Sequence, residues 1–522
     1  MLPLRTVPLK TPDWSRGQRQ HIVRRKIFML LSLLVVGLPM VASAALTNYF
    51  WNGSAPGNAK WSRSQNWNAT NTAPPANSIG GLTNTAITFE GVLKLAPVMD
   101  NSSFIHSLIF GSTAGAFTLS SQGSEVLTLG AGGIANFSPN RQTVTSSLNL
   151  SNAQTWNAIA GGLAILGAVY LGANALTVAG AWDVAISNVI QGSGAMFKQG
   201  AGTLTFAGNG ANTYSGGTSL DGGTITVAKT NALGTGPLTI NAGSLNIGGF
   251  NQTVGTVSLS GGTISGTSGL LKGSAYQVQS GTVSAQLGGT GALTKSGNGV
   301  VTLSASNSFS GGTVINGGTL AVNNLVGSGT GSGNVSINNG AMLVGSGRIS
   351  GAVTNRSGGV ISAGAGVGSL ATGAEFWLGG STNRLEIRDA VAAAGVGWDV
   401  LNITGALNVS ATASNKVFID VVGLTPAGLP GAVGNFDPTQ NYVWTIVQTS
   451  DGIFYPPGES ELTVYELVTG QFVNAAAGGS FSVGTANNGK NLTLSYVVPE
   501  PERWMFLVIG ICGYLYGRKW SR

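Results

Sequence analysis

Residues that could act as acids, bases or metal ligands are few in this chain, and their spacing works against catalysis. A glycosidase needs two carboxyl groups facing one groove. A lyase on a coiled scaffold needs a base, commonly with acid-bound calcium. From Val126 to Ala374 the chain offers two carboxylates, Asp183 and Asp221, 38 residues apart (221 − 183), and no histidine. Asp221 sits in an "LDGG" turn, where aspartate is a routine turn former. Glu386 with Asp389, and Glu459 with Glu461, are close in sequence and read as surface loop charges. His106, in the strand-like "FIHSLIF", reads as a packed or edge residue. "GNGANTYSGG" lacks the lysine and following helix of a phosphate loop. The single cysteine, Cys512, lies in a terminal apolar run, so the body carries no disulfide and no thiolate metal site. The sequence predicts no catalytic residue, no metal site and no cofactor. A carbohydrate-active enzyme stays open as the alternative, to be revived by two acids facing one groove.

The elements that would carry any site must be short strands and tight turns. Of 522 residues 82 are glycine, 8% are charged and 43% apolar. Disorder needs low hydrophobicity and high net charge, which this is not. The net charge of +7 is unevenly placed. Residues 1–44 carry seven Lys/Arg against one Asp, and residues 503–522 four against none; the rest carries 14 against 17, so the body is mildly acidic. That argues against a nucleic-acid partner.

Both ends read as addresses. Arg24-Arg25-Lys26, an apolar run from Ile27 to Val41 and the Ala42-Ser43-Ala44 site make a secretory signal, with cleavage expected between Ala44 and Ala45. An uncleaved anchor is the alternative. The last apolar run, Trp504 to Tyr516, would cover about 20 Å as a helix, against about 30 Å of hydrocarbon. Trp504 can sit at the interface, and Arg518 and Lys519 form a basic tip that stays cytoplasmic. Pro499-Glu500-Pro501, followed by such a helix and tip, resembles the PEP-CTERM sorting signal of Gram-negative bacteria. The resemblance implies an exosortase-like transpeptidase that removes the tail. It also implies an association with exopolysaccharide and matrix. An ordinary tail anchor is the competing reading.

Two body segments repeat. "KQGAGTLTFAGNGANTYSGGTSLDGGTITV" runs from Lys198 to Val227, and "KSGNGVVTLSASNSFSGGTVINGGTLAV" from Lys295 to Val322. "TLTF" and "TITV" alternate with the period of strands. The pairs Gly216-Gly217, Gly222-Gly223, Gly311-Gly312 and Gly317-Gly318 fall between them, where corners need glycine. The pattern predicts an all-β, right-handed parallel β-solenoid; an antiparallel sandwich or barrel array competes. The segments resemble the autotransporter-associated β-strand repeat, although Ser304-Ala305-Ser306 departs from it. That resemblance implies a passenger-like β-helix. A membrane barrel of the autotransporter kind is not expected after them.

The expected organisation is a signal peptide over 1–44, an N-terminal β-cap and first coils over 45–124, and a Gly-rich solenoid over 125–374. A C-terminal β-cap or small sandwich follows over 375–498, with ten carboxylates, and the sorting signal with a short transmembrane helix over 499–522. Trp51, Trp61 and Trp67 would cap the open end or form a sugar-stacking ladder. The resulting expectation is an exported, non-enzymatic envelope or matrix protein, a scaffold or adhesin. Its expected partners are the export machinery, signal peptidase, the exosortase-like enzyme and extracellular polysaccharide, with the membrane held through the C-terminal helix before processing. Self-assembly through coil edges is a third reading.

Overall fold

Alternating Thr/Ser and Leu/Ile/Val in strands of three or four residues leaves one apolar row per strand, too narrow to form a core alone. Stacking identical strands solves this, and the chain does so in parallel. A computed structural model describes residues 46–67, 84–475 and 478–499. Lys198 lies opposite Leu220, Leu220 opposite Ile240, Ile240 opposite Leu259, and Leu259 opposite Val278. A coil is therefore about 20 residues, and each rises about 4.8 Å on the last.

Each coil has three faces. The first ladder runs from Thr47–Trp51 to Gly452–Phe454. The second runs from Val98–Met99 to Tyr465–Gln471. The third is clearest at Gln252–Thr253, Leu270–Lys272 and Gln286–Gly288, and again at Ser369–Thr372, Val400–Ile403 and Tyr442–Thr449. Leu204, Ile225, Leu245, Ile264, Val283 and Leu303 stack as one fully buried aliphatic row of the second face. Thr203, Thr224, Ser244, Thr263, Thr282 and Thr302 form the neighbouring outward column.

The ladders do not pause at residue 375. Val353–Asn355 pairs with Glu375–Leu378, and Val360–Ser362 with Thr382–Ile387, both parallel. The region over 375–498, expected as a β-cap or small sandwich, continues the parallel coils. Its antiparallel part is confined to Tyr442–Thr449, Asn491–Val497 and Ser480–Ala486. The hairpin between the last two turns on Asn487, Asn488 and Gly489, all with positive φ, as such turns require. Among the described residues helix is limited to single turns such as Glu461–Val464, capped by Ser460. Among the described residues no helix is long and apolar enough to cross a membrane.

Candidate functional site

The repeat is longer than a coil. It begins on a first-face strand, Met196–Lys198, and passes the second face at Thr203–Phe206. It returns to both faces one level higher, at Thr218–Leu220 and Thr224–Val227. One copy therefore encodes a stacked pair. Its leading lysine occupies an inward position that Val178 and Leu220 fill in the coils on either side. The stem lies in the apolar row while the ammonium turns into the corner. Lys198 Nζ donates to the carbonyls of Gln199, Gly200 and Gly222, at 2.7, 2.9 and 3.3 Å. Lys295 Nζ does the same to Ser296, Gly297 and Gly317, each at 2.9 Å. Two of those carbonyls belong to the lysine's own coil and one to the next, so each ammonium clips two levels together. Burial pushes Lys198 down to about 8, with the charge of Asp183 offsetting part of that. Burial lowers Lys295 as well.

The glycine pairs divide the work at these corners. Gly223 and Gly318 have φ of +67° and +60°, and a Cβ on either would fall 2.4–2.6 Å from carbonyl oxygens of the coil below. Gly217 and Gly312 also have positive φ. Gly216 and Gly311 are required for another reason: a Cβ would come within 2.5 and 2.4 Å of the preceding coil's backbone. Gly222 and Gly317 have ordinary φ and nearest neighbours at 3.7 and 3.5 Å.

A groove of about 700 Å³ opens on the third face where its strands are interrupted. It crosses five successive coils, from Ser306 and Ser308 past Gly331 and Arg348 to Ala371 and Thr404. Ser306, Ser308, Ser332, Ser350, Thr372 and Thr404 supply hydroxyls, and Arg348 is the one charged residue of the lining. None of these positions was legible in the sequence, because they are spread over a hundred residues and meet only through stacking.

Both repeated segments match the passenger-associated-transport-repeat family, over residues 196–227 and 293–322. Those bounds fall on the outer strands of the two stacked pairs. A stretch of 88 residues, 17% of the chain, is 42% identical to the adhesin BmaC autotransporter of Brucella suis biovar 1 (strain 1330). It covers 3% of that protein, so the chain spans only a small part of the relative's length. The repeat's lysine was visible at the head of both copies. Its role was not, because the carbonyls it holds come from a neighbouring level.

The carboxylates do not converge on this groove. Asp183 accepts from Thr203 N at 2.8 Å. Asp221 accepts from Asn241 Nδ2 at 2.8 Å, a bond that holds its carboxyl below the usual range. Asp389 caps Val391 N and Ala392 N. Glu459 accepts from Ala413 N and Glu461 from Thr485. Two further C-terminal acids are buried. Glu375 is fully buried, with Thr372 Oγ1 at 2.8 Å and Trp377 Nε1 at 2.6 Å, and burial pushes it up to about 7. Asp399 is also buried, accepts from Gly368 N and Glu386 N, and is pushed up to about 8, chiefly by burial. Glu386, read as a surface loop charge, instead lies half-buried in the strand Thr382–Ile387, and burial raises it too.

Trp51, Trp61 and Trp67 are 2%, 4% and 0% exposed and pack edge to face with one another above Phe89. Buried in this way, they present no stacking face to a sugar. His106 lies in the strand Ser103–Phe110. Pro499 is described, whereas Ala42, Ala44, Ala45, Glu500, Pro501, Trp504, Tyr516, Arg518 and Lys519 lie outside the described residues.

Proposed function

We propose that this chain is an exported, non-enzymatic scaffold or adhesin of the Gram-negative cell surface or extracellular matrix, associated with extracellular polysaccharide. The observation that carries the reading is the unbroken parallel solenoid whose repeated pairs match passenger-type repeats. The similarity of one stretch to an adhesin autotransporter supports an outer-surface location. Non-enzymatic action is supported by the similarity of that stretch to an adhesin. In this reading the N-terminal 44 residues are removed by signal peptidase. The tail from Pro499 is processed by an exosortase-like transpeptidase.

The test is the intact mass of the protein recovered from membranes and from medium of its native host. A mass running from Ala45 to the neighbourhood of Pro499–Pro501, with or without an added group, supports export and sorting. A mass that still includes Arg522 makes the tail a plain anchor. Recovery with residues 1–44 intact from the cytoplasm overturns the reading as a whole.

A further inference from the structure

We propose that the third-face groove binds carboxylate-bearing sugar units of an acidic polysaccharide, with Arg348 reading the carboxylate; this rests on the reading of the chain as a polysaccharide-associated scaffold. The groove lies where the third face, with regular strands from Gln252–Thr253 to Gln286–Gly288 and again from Ser369–Thr372, has none between. Its floor is kept low by Gly327, Gly331, Ala371 and Gly373. Five coils at about 4.8 Å give a trough of roughly 19 Å along the axis. That suits a short run of pyranose rings better than a single small anion. The volume of about 700 Å³ lies within the ordinary range for ligand sites.

Asn307 and Ser328 of the lining are committed, to Leu287 N and Gly329 O and to Ser350 N, but other polar groups are not. Among the described residues, Ser306, Ser308, Ser332 and Thr404 find no side-chain hydrogen-bond partner, and each hydroxyl can both donate and accept. Ser350 and Thr372 are different, since they bond Gly331 O and Glu375. Arg348 is exposed; its backbone N–H donates to Asn324 Oδ1 and its carbonyl accepts from Gly329 N, while its guanidinium has no partner among the described residues. The one described ion pair of the protein is elsewhere, between Arg384 and Asp420. A guanidinium with no acid in its own groove, flanked by free hydroxyls, matches a polyol that brings the anion with it. Its planar fork fits a carboxylate in two-pronged fashion. A neutral glycan would use the hydroxyls and leave that fork empty.

The experiment uses the full-length protein in affinity electrophoresis and calorimetry against polygalacturonate, dextran and dextran sulfate, with free galacturonate as competitor. Polygalacturonate is expected to bind, more weakly as salt rises. Arg348→Gln should weaken it at least about tenfold, equivalent to about 1.4 kcal/mol. Ala371→Trp, which fills the floor from an outward strand position, should abolish binding. Arg356→Gln, whose guanidinium already bonds Ser336, should leave it unchanged. Competition by free galacturonate supports recognition of the single acidic unit; competition by the polymer alone supports recognition of a run of them. If Arg348→Gln and Ala371→Trp both retain polygalacturonate, the groove proposal falls and the polysaccharide reading stands. Binding of dextran or dextran sulfate alone overturns the carboxylate assignment. Binding of none of the three overturns both.

Discussion

The hydroxyl of Tyr214 lies 2.6 Å from Oγ1 of Thr218, four residues along and fully buried. Thr218 in turn donates to Leu233 O, so the tyrosine is the donor to Thr218. In the second repeat the matching residues are Phe309 and Thr313, and Thr313 Oγ1 has no partner; neither has Thr330 Oγ1 in the next coil. Phe309→Tyr should supply the missing bond and raise stability by about 1 kcal/mol, while Tyr214→Phe should lower it by a similar amount. Urea midpoints of both variants check this; a destabilised Phe309→Tyr would mean that the ring has no room for the added oxygen.

Removing a lysine clip should cost more than removing an ordinary surface lysine. Lys295→Met leaves three inward-turned carbonyls without their donor, and at least about 2 kcal/mol of destabilisation is expected. Lys295→Arg should not restore it, since a planar fork cannot replace a compact ammonium in this cage. Lys272→Met, at an exposed position, should stay within about 0.5 kcal/mol of the parent. Equal midpoints for Lys295→Met and Lys272→Met would refute the clip.

The two glycines of each corner should respond oppositely to alanine. Gly223→Ala and Gly318→Ala combine a positive φ with a clash against backbone, and should each lose about 2–3 kcal/mol or more. Gly222→Ala and Gly317→Ala, one residue earlier, have space and ordinary φ, and should be nearly neutral. Thermal melts of the four variants decide it.

Stability should carry a pH signature from Glu375. Its folded carboxyl is raised by burial to about 7 from the usual 4.5. The folded chain therefore keeps a proton that the unfolded chain releases. The stabilisation is fully present below pH 4.5, declines as pH rises, and is gone above about 7. About 3 kcal/mol is at stake. Glu375→Gln should remove this slope and leave the broader one due to Asp399, which acts in the same direction up to about 8. Parallel urea midpoints for parent and variant across this range would contradict the assignment.

The two strand-bearing faces were legible because "TLTF", "TITV" and "TLAV" alternate with period 2 and are punctuated by glycine pairs. The third face was not. Around Tyr214 and Phe309 the chain follows it without regular strands, so no alternation marks it. The 97-residue offset between Lys198 and Lys295 also concealed the coil of about 20 residues, since intervening coils put Leu220, Ile240, Leu259 and Val278 where the lysines stand. Glu386 was misread as a surface loop charge, and Glu375 and Asp399 were not singled out, because nothing in the local sequence distinguishes a carboxylate stacked inside a coil from one on a loop. The groove around Arg348 depends on which residues lie above one another, and that follows only once the register is known.

The ladders also determine how the molecule would bear load. Backbone bonds between coils lie along the axis, so tension applied from end to end opens them one level at a time. Each level that yields frees about 20 residues, roughly 65 Å of extended chain, while the levels behind it stay folded. A tether built this way lengthens in steps under flow and can rewind when the pull relaxes. The lysine clips at Lys198 and Lys295 mark the rungs where that peeling would stall.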